Sequence, residues 1–302
     1  MKKVAILMSS FMGEQYLEKQ LKSIINQTHK NWLLWISDDG STDNTLNVIK
    51  KMNCDKIKIL RGPNLGNYAL NFLSMIKNKN IKADYFAFSD QDDIWKNDKL
   101  AKAILYIKNI NTNLPAAYCS RSILINSEDE KIGFSKKINI RPNFKNALIQ
   151  NIMSGNTILF NNKCKKLIEK SNITNLTSHD WLIYQVITGS EGFVYYDQNP
   201  SIYYRQHDNN LIGAQNSFFS VFKRILHHFD GTYKKSLNIQ LRFLLENKFL
   251  LSKDNQIILN NFFKNKNHSN LFKRLQVLKL GIFRFSKKGN LALLVSIILN
   301  QI

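Results

Sequence analysis

Two acidic clusters, Ser37-Asp38-Asp39-Gly40-Ser41 and Ser89-Asp90-Gln91-Asp92-Asp93, each close a short apolar run, Trp32-Leu33-Leu34-Trp35-Ile36 and Tyr85-Phe86-Ala87-Phe88. Runs this short and apolar fit strands buried on both faces, as in a parallel sheet covered by helices. Carboxylates just past the ends of such strands are badly placed for packing and well placed for a ligand. Open α/β sheets bind ligands in the crevice outside the carboxyl ends of their strands. Two such clusters in the N-terminal third predict a nucleotide at one and a divalent metal at the other.

Strand and helix signals alternate to about residue 110, which argues for a largely parallel α/β sheet. Strands are expected near Lys3–Met8, Asn31–Ser37, Ile57–Leu60 and Tyr85–Ser89. Helices are expected over Glu14–Gln27, where Leu17, Leu21, Ile24 and Ile25 share a face, over Tyr68–Lys77 and over Asp98–Ile110. Ser41 to Asn44 offer caps for a further helix through Val48 and Lys51. Beyond Ala116 the pattern predicts strands at Ala117–Ile125, Asn156–Phe160, Phe193–Tyr196 and Ser201–Arg205, with helices at Lys163–Lys170 and His179–Thr188. Residues 217–302 read as three or four amphipathic helices without strands. The expected organisation is a domain over 1–213 and a basic helical extension over 214–302.

At 302 residues and 44% hydrophobic content the chain can bury a sizeable core. Its three cysteines, Cys54, Cys119 and Cys164, are odd in number and far apart. They oppose a disulfide framework or zinc ribbon and fit a reducing cytoplasm. The apolar stretch Val4–Met8 is too short for a signal sequence. The best membrane-span candidate, Leu291–Leu299, is about half the length of a spanning helix. Net charge is +21, of which residues 215–302 supply +12 from 15 Lys/Arg against 3 Asp/Glu. Such a segment attracts polyanions or an anionic membrane surface; a solvated basic face is the plain alternative.

Four constellations carry chemistry. Asp38 or Asp39 could accept the imide N–H of a uracil or thymine, with Phe11 stacking on the base; Asp-Asp-Gly-Ser is also ordinary turn chemistry. Asp90, Asp92 and Asp93 offer the oxygen ligands Mg²⁺ and Mn²⁺ prefer, or solvated loop acids. Asp180, in Ser178-His179-Asp180-Trp181, is either a general base toward a hydroxyl or a helix-start carboxylate. Arg205 and His207, in Tyr203-Tyr204-Arg205-Gln206-His207, could neutralise a diphosphate or complete a metal site, or line a polar loop.

These segments, in this order, resemble the family 2 glycosyltransferases, which have the GT-A nucleotide-sugar fold. The resemblance rests on Met8–Leu17, Asp38–Thr45, Asn64-Leu65-Gly66 with Asn71-Phe72, Asp90–Trp95, and His179-Asp180-Trp181 followed by Tyr204–His207, the last two pointing to the rhamnosyltransferase-like branch. It covers about residues 3–213. One departure is Ser10-Phe11-Met12 where the family usually shows Thr-Tyr-Asn, so a hydroxyl and a polar side chain are missing near the donor.

The resemblance implies an α/β fold with a mainly parallel mixed sheet and an inverting sugar transfer from a UDP- or dTDP-sugar to a hydroxyl of a glycan or lipid-linked glycan, as in bacterial surface polysaccharide synthesis. It implies that Ser10, Phe11, Glu14 and Asp39 hold the nucleoside with Asp38 adjacent. Asn64, Gly66, Asp90, Gln91 and Arg205 are further donor contacts. Asp92, with His207, holds Mn²⁺ or Mg²⁺, Asp180 is the base, and Asn156 and Trp181 shape the acceptor side. Phe218–Ile225 and Leu271–Leu275 mix apolar and cationic residues as interfacial helices do; packing on a second subunit would serve them equally. Nucleic acid is disfavoured as a partner. Two other functions compete. A sugar nucleotidyltransferase would need a Gly-rich basic loop after the first strand, which Ser9–Gly13 is not. A non-catalytic polyanion-binding module would leave Asp180 dispensable.

Overall fold

A computed structural model describes residues 1–111, 113–206 and 231–302. The chain divides into two compact units. The first comprises Met1–Lys137, Met153–Lys170 and Phe193–Gly213, and the second Ile138–Ile152, Ser171–Gly192 and Ala214–Ile302.

The first unit is built on β1 (Val4–Ser10), β2 (Trp32–Asp38), β3 (Ile57–Arg61), β4 (Tyr85–Ser89), β5 (Ile94–Trp95), β6 (Ala116–Ile125), β7 (Lys131–Phe134), β8 (Leu159–Asn161) and β9 (Phe193–Arg205). Its sheet runs β3-β2-β1-β4-β8-β6-β9-β5, with β7 also on β6. The N-terminal half, β3-β2-β1-β4, is parallel. The rest is mixed: β8 is antiparallel to β4 and β6, β9 is parallel to β6, and β5 is antiparallel to β9.

Side chains alternate across the sheet as the pleat requires. Val4, Ile6 and Met8 of β1 enter a cluster with Leu17, Leu21 and Ile24 of α1 (Leu17–Ile25) and Leu100, Ala103 and Ile107 of α4 (Lys99–Ile107). Ile49 of α2 (Thr45–Lys51) joins that face. On the opposite face Phe72 of α3 (Tyr68–Lys77) meets Phe88 edge-on at 5.2 Å, and Phe88 meets Phe160 at 5.1 Å. Lys165 of α6 (Asn162–Lys170) lies over Phe86 on that side. The result is three layers, helix, sheet, helix.

The expected elements to residue 110 are present within three residues at each boundary. Three things differ. The two expected strands at 193–196 and 201–205 are one strand, because Gln198, Asn199 and Pro200 bulge out between the pairs Ser120↔Asp197 and Ser122↔Ile202. A bulge is where a strand tolerates proline. Asn156 and Thr157, expected to begin a strand, belong instead to a 3₁₀ turn, Gly155–Thr157, that leads into β8. The short β5, β7 and α5 (Phe144–Ala147) were not expected.

The second unit is helical in its described residues: α5, α7 (His179–Gly189), α8 (Thr232–Glu246), α9 (Lys253–Lys266), α10 (Leu271–Lys279) and α11 (Lys287–Ile298). Asn143, Ser178, Ser252, Asn270 and Ser286 cap five of these helices with side-chain oxygens, each cap contributing about 1 kcal/mol. Every residue of α7 except Asp180 is buried, so α7 is enclosed on all sides and forms the middle of this unit. No described helix is long and apolar enough to cross a membrane.

Candidate active site

The carboxyl ends of β1, β2 and β4 lie side by side, and three loops rise from them. Ser10 pairs in register with Asp38, and Met8 with Ser89. The loop after β1 is tied to the loop after β2 by four bonds. Met12 N–H donates to Ser41 Oγ (2.9 Å), Gly13 N–H to Thr45 Oγ1 (2.8 Å), Glu14 N–H to Asp43 Oδ2 (3.1 Å), and Asn44 N–H to Glu14 Oε2 (2.7 Å). Gln91 ties the same loop to the one after β4: its Nε2 donates to the Phe11 carbonyl and its Oε1 accepts from Phe11 N–H, both at 2.9 Å. Gln91 lies flat on Gly13, where a Cβ would stand 2.4 Å from Oε1. The Phe11 ring is left 56% exposed at the tip.

Asp38 and Asp39 are both buried but differ in what they hold. Asp38 accepts four bonds, from Ser10 Oγ (2.9 Å) and Ser41 Oγ (2.6 Å) on one oxygen and from Ser41 N–H (2.9 Å) and Gly40 N–H (3.2 Å) on the other. A carboxylate has about four lone-pair sites, so Asp38 is filled by its own loop. Gly40 makes that turn at φ +94°, with Asn64 Oδ1 only 2.7 Å from where a Cβ would be. Asp39 accepts two bonds, from Asn64 N–H (2.6 Å) and Gly66 N–H (3.2 Å). It keeps acceptor capacity on both oxygens, and Asn64 and Gly66 act through their backbones.

The loop after β4 carries Asp90, Gln91 and Asp92, all half-buried, and Asp93, fully buried. β5 follows at once and pairs with Ile202–Tyr203, which brings Arg205 against this loop. Asp93 accepts from Asn156 Nδ2 (2.7 Å) and Arg205 N–H (3.2 Å). Burial, with the charges of Asp92 and Asp90, raises its carboxyl well above the usual range. Beneath it Lys99 is buried, with Nζ 3.4 Å above the Trp95 ring, and burial lowers it to about 7 against the opposing pull of Asp93 and Asp90. Asp93 thus faces inward, while Asp90 and Asp92 of the same loop are half-buried.

Among the described residues no group of three or more His, Cys, Asp or Glu forms a metal cage. Mg²⁺ or Mn²⁺ bridging phosphates takes one or two protein carboxylates and completes its shell with phosphate and water oxygens, so the Asp90–Asp92 donor set fits such an ion. His207 lies outside the described residues.

Two further residues sit differently from the sequence reading. Arg205, expected at the diphosphate, has a fully buried side chain engaged with backbone carbonyls and Asp129. Asn156, expected toward the acceptor, is 1% exposed and holds Asp93. Asp129 was not singled out in the sequence, being one of three acids in the turn Ser127–Glu130. Burial tends to raise its carboxyl, but Lys19 and Arg205 outweigh that and lower it.

In the second unit, Asp180 lies in the first turn of α7 and is its one half-exposed residue. Its Oδ1 accepts from the Ser178 hydroxyl and from Trp181 N–H at 2.8 Å, which fixes the carboxylate's orientation. Trp181 is 7% exposed and its Nε1–H donates to the Ala147 carbonyl at 2.7 Å, so it packs inside this unit. His179 is buried, and burial lowers it to about 4.

A half-parallel, half-mixed sheet with acidic loops at its strand ends is the GT-A architecture, and solved enzymes share it. S. aureus TarS residues 1–349 in complex with UDP aligns at TM-score 0.56 and 15% identity, over 89% of this chain and 72% of that one. The mannosyltransferase PcManGT of Pyrobaculum calidifontis, in complex with GDP-Man and Mn²⁺, aligns at 0.53 and 11%, over 99% and 86%. The sequence profile described as Glycosyl transferase family 2 matches residues 5–172. The dTDP-rhamnosyl transferase RfbG of Shigella flexneri is 34% identical over 231 residues, 72% of this chain and 78% of that protein. The Escherichia coli glucosyltransferase WfgD, named for UDP-Glc and a GlcNAc-diphosphoundecaprenol acceptor, is 30% identical over 41% of this chain and 47% of its own length. The chain belongs to glycosyltransferase family 2.

Proposed function

We propose that this glycosyltransferase moves a sugar from a UDP- or dTDP-sugar to a hydroxyl of a glycan, free or lipid-linked, in the synthesis of a bacterial surface polysaccharide, with inversion at the anomeric carbon. The observation that carries the reading is the convergence of Phe11, Asp39, Asp90 and Asp92 at neighbouring strand ends. The dTDP-rhamnosyl transferase RfbG and the UDP-Glc-dependent WfgD support a pyrimidine nucleotide donor and, through WfgD, a lipid-diphosphate acceptor.

In this mechanism Phe11 stacks on the base and Asp39 accepts the base's imide N–H, which cytosine lacks. Ser10, Glu14 and Asp38 keep the nucleoside loops in shape, Asn64 and Gly66 orient Asp39, and Gln91 fixes Phe11. Asp90 lies toward the ribose. Asp92, with Asp90 beside it, would hold Mn²⁺ or Mg²⁺, which when bound neutralises charge on the diphosphate leaving group. Asp180 takes the proton of the acceptor hydroxyl as that oxygen attacks the anomeric carbon and the nucleoside diphosphate departs. Trp181 and Ser178 hold Asp180 for that task.

The extension suits an anionic surface. Residues 255–302 contain eight Lys/Arg and no Asp or Glu. On α11, Leu291, Val295 and Ile298 are 64%, 42% and 42% exposed and share a helical face with Lys287 and Lys288 at its start. The segment 218–225 lies outside the described residues.

The test is release of UDP or dTDP from candidate donors in the presence of acceptor. Asp180→Asn should lower turnover by roughly 10²–10⁴-fold, the usual contribution of a general base, and leave nucleotide affinity within about threefold. Turnover unchanged in Asp180→Asn would remove Asp180 as the base, and no donor turnover by the wild type would favour the polyanion-binding module instead.

A further inference from the structure

Three separate segments of the first unit meet on the Arg205 guanidinium: the loop after β4, the turn between β6 and β7, and Tyr16 just before α1. Nε donates to the Asp92 carbonyl (2.9 Å), and Nη1 to the carbonyls of Asn126 (3.0 Å) and Ser127 (3.1 Å). Nη1 also pairs with Asp129 Oδ1 at 2.5 Å. The guanidinium carbon stands 4.4 Å from the centre of the Tyr16 ring. Asp129, at φ +68°, turns its other oxygen to Lys19 Nζ of α1 (2.5 Å). A side chain with no exposed surface cannot reach a diphosphate while these contacts stand. A buried cation also needs its counter-charge, because removing one partner of a buried pair leaves an uncompensated charge.

We infer that Arg205 and Asp129 form a clamp whose task is to position the Asp92 carboxylate, Arg205 gripping the Asp92 peptide and Asp129 holding Arg205 in place. The inference rests on the reading of Asp92 as a cation ligand. Neither residue touches the donor; both are positioning residues, and Asp129 acts from the turn between β6 and β7. Losing the Asp129 charge lets the guanidinium swing toward water and frees the Asp92 peptide. The nucleoside loops are tied through Gln91, Ser41, Asp43 and Thr45, independently of the clamp. The effect should therefore fall on metal-dependent binding alone.

The experiment is calorimetric titration of the full chain with UDP and dTDP, with and without Mn²⁺, in wild type, Asp129→Asn, Arg205→Lys, the double variant and Asp92→Ala. Partners that orient metal ligands typically change metal affinity by about 10–100-fold. Asp129→Asn and Arg205→Lys should each weaken Mn²⁺-dependent binding by that factor, and metal-free binding by less than about twofold. The double variant should be little worse than the poorer single one, since both act through one link. Lys19→Met, which removes only the outer arm, should cost a few-fold and keeps the test open if Asp129→Asn folds poorly. Wild-type Mn²⁺ dependence in folded Asp129→Asn, or equal loss with and without Mn²⁺, overturns the clamp. Intact Mn²⁺ dependence in Asp92→Ala overturns the cation-ligand reading, and the clamp's purpose with it.

Discussion

Asp38→Asn separates the two neighbouring carboxylates. The asparagine oxygen will face Gly40 N–H and Ser41 N–H, which cannot reorient, and its amide will face the Ser10 and Ser41 hydroxyls, which can turn to accept. All four contacts survive in shape but lose the help of a charged acceptor. Hydrogen bonds to charged groups contribute about 1.5–3 kcal/mol and neutral ones about 0.5–1.5. Half of the cluster is only partly buried, so the summed loss should be about 2 kcal/mol. For a unit of this size that lowers the melting temperature by about 4–8 °C. Thermal unfolding followed by tryptophan fluorescence reads it, Trp32 and Trp35 lying on β2 itself. Nucleotide affinity measured well below the transition should stay within about threefold of wild type. Asp39→Asn should instead lose about tenfold or more in affinity for UDP or dTDP. An Asp38→Asn protein that melts like wild type yet fails to bind nucleotide would refute the assignment of Asp38 to the loop and of Asp39 to the base.

Three other outcomes are expected. Gly13→Ala should displace Gln91 and free Phe11, weakening nucleotide binding by about tenfold, whereas the same change in a Gln91→Ala background should cost little further affinity; equal losses in both backgrounds would exclude a steric cause. His179 is held neutral, near 4 against an ordinary 6.5, so the unfolded chain binds its proton more readily. That stability is present above pH 6.5 and lost as pH falls toward 4, by up to roughly 3 kcal/mol; His179→Gln should show a correspondingly shallower fall in melting temperature across that window. Flotation with phosphatidylglycerol vesicles at low salt should capture the wild type, and Leu291→Asp with Val295→Asp should abolish capture while turnover on a soluble acceptor persists; no capture of the wild type would remove the membrane reading.

The elements most visible in the sequence are those whose local signal and tertiary role agree. In the parallel half β1, β2 and β4 are apolar up to their polar carboxyl ends, and α1 shows its buried stripe at Leu17, Leu21 and Ile24. β5 and β7, with two and four residues, carry no period to detect; β5 exists because it pairs with the end of β9. Asp197–Pro200 reads as a strand break, yet Asp197 folds inward to accept from the Tyr118 hydroxyl and the Asn199 N–H, so pairing resumes at Ile202. The acidic clusters announce a ligand-facing edge, but which carboxylate faces inward depends on partners remote in sequence. Asp93 is claimed by Asn156, 63 residues away, and Arg205 is drawn inside by Asp129, a residue of an unremarkable polar turn.

The central claim is that the strand-end crevice of the first unit selects a uracil- or thymine-containing donor. Its most direct test is calorimetric binding of UDP, dTDP, GDP and CDP, in Mn²⁺, to wild type and Asp39→Asn. UDP or dTDP should bind at least about tenfold more tightly than GDP and CDP, and Asp39→Asn should erase the preference. Equal affinity for all four nucleotides, or a preference that survives in Asp39→Asn, would contradict it.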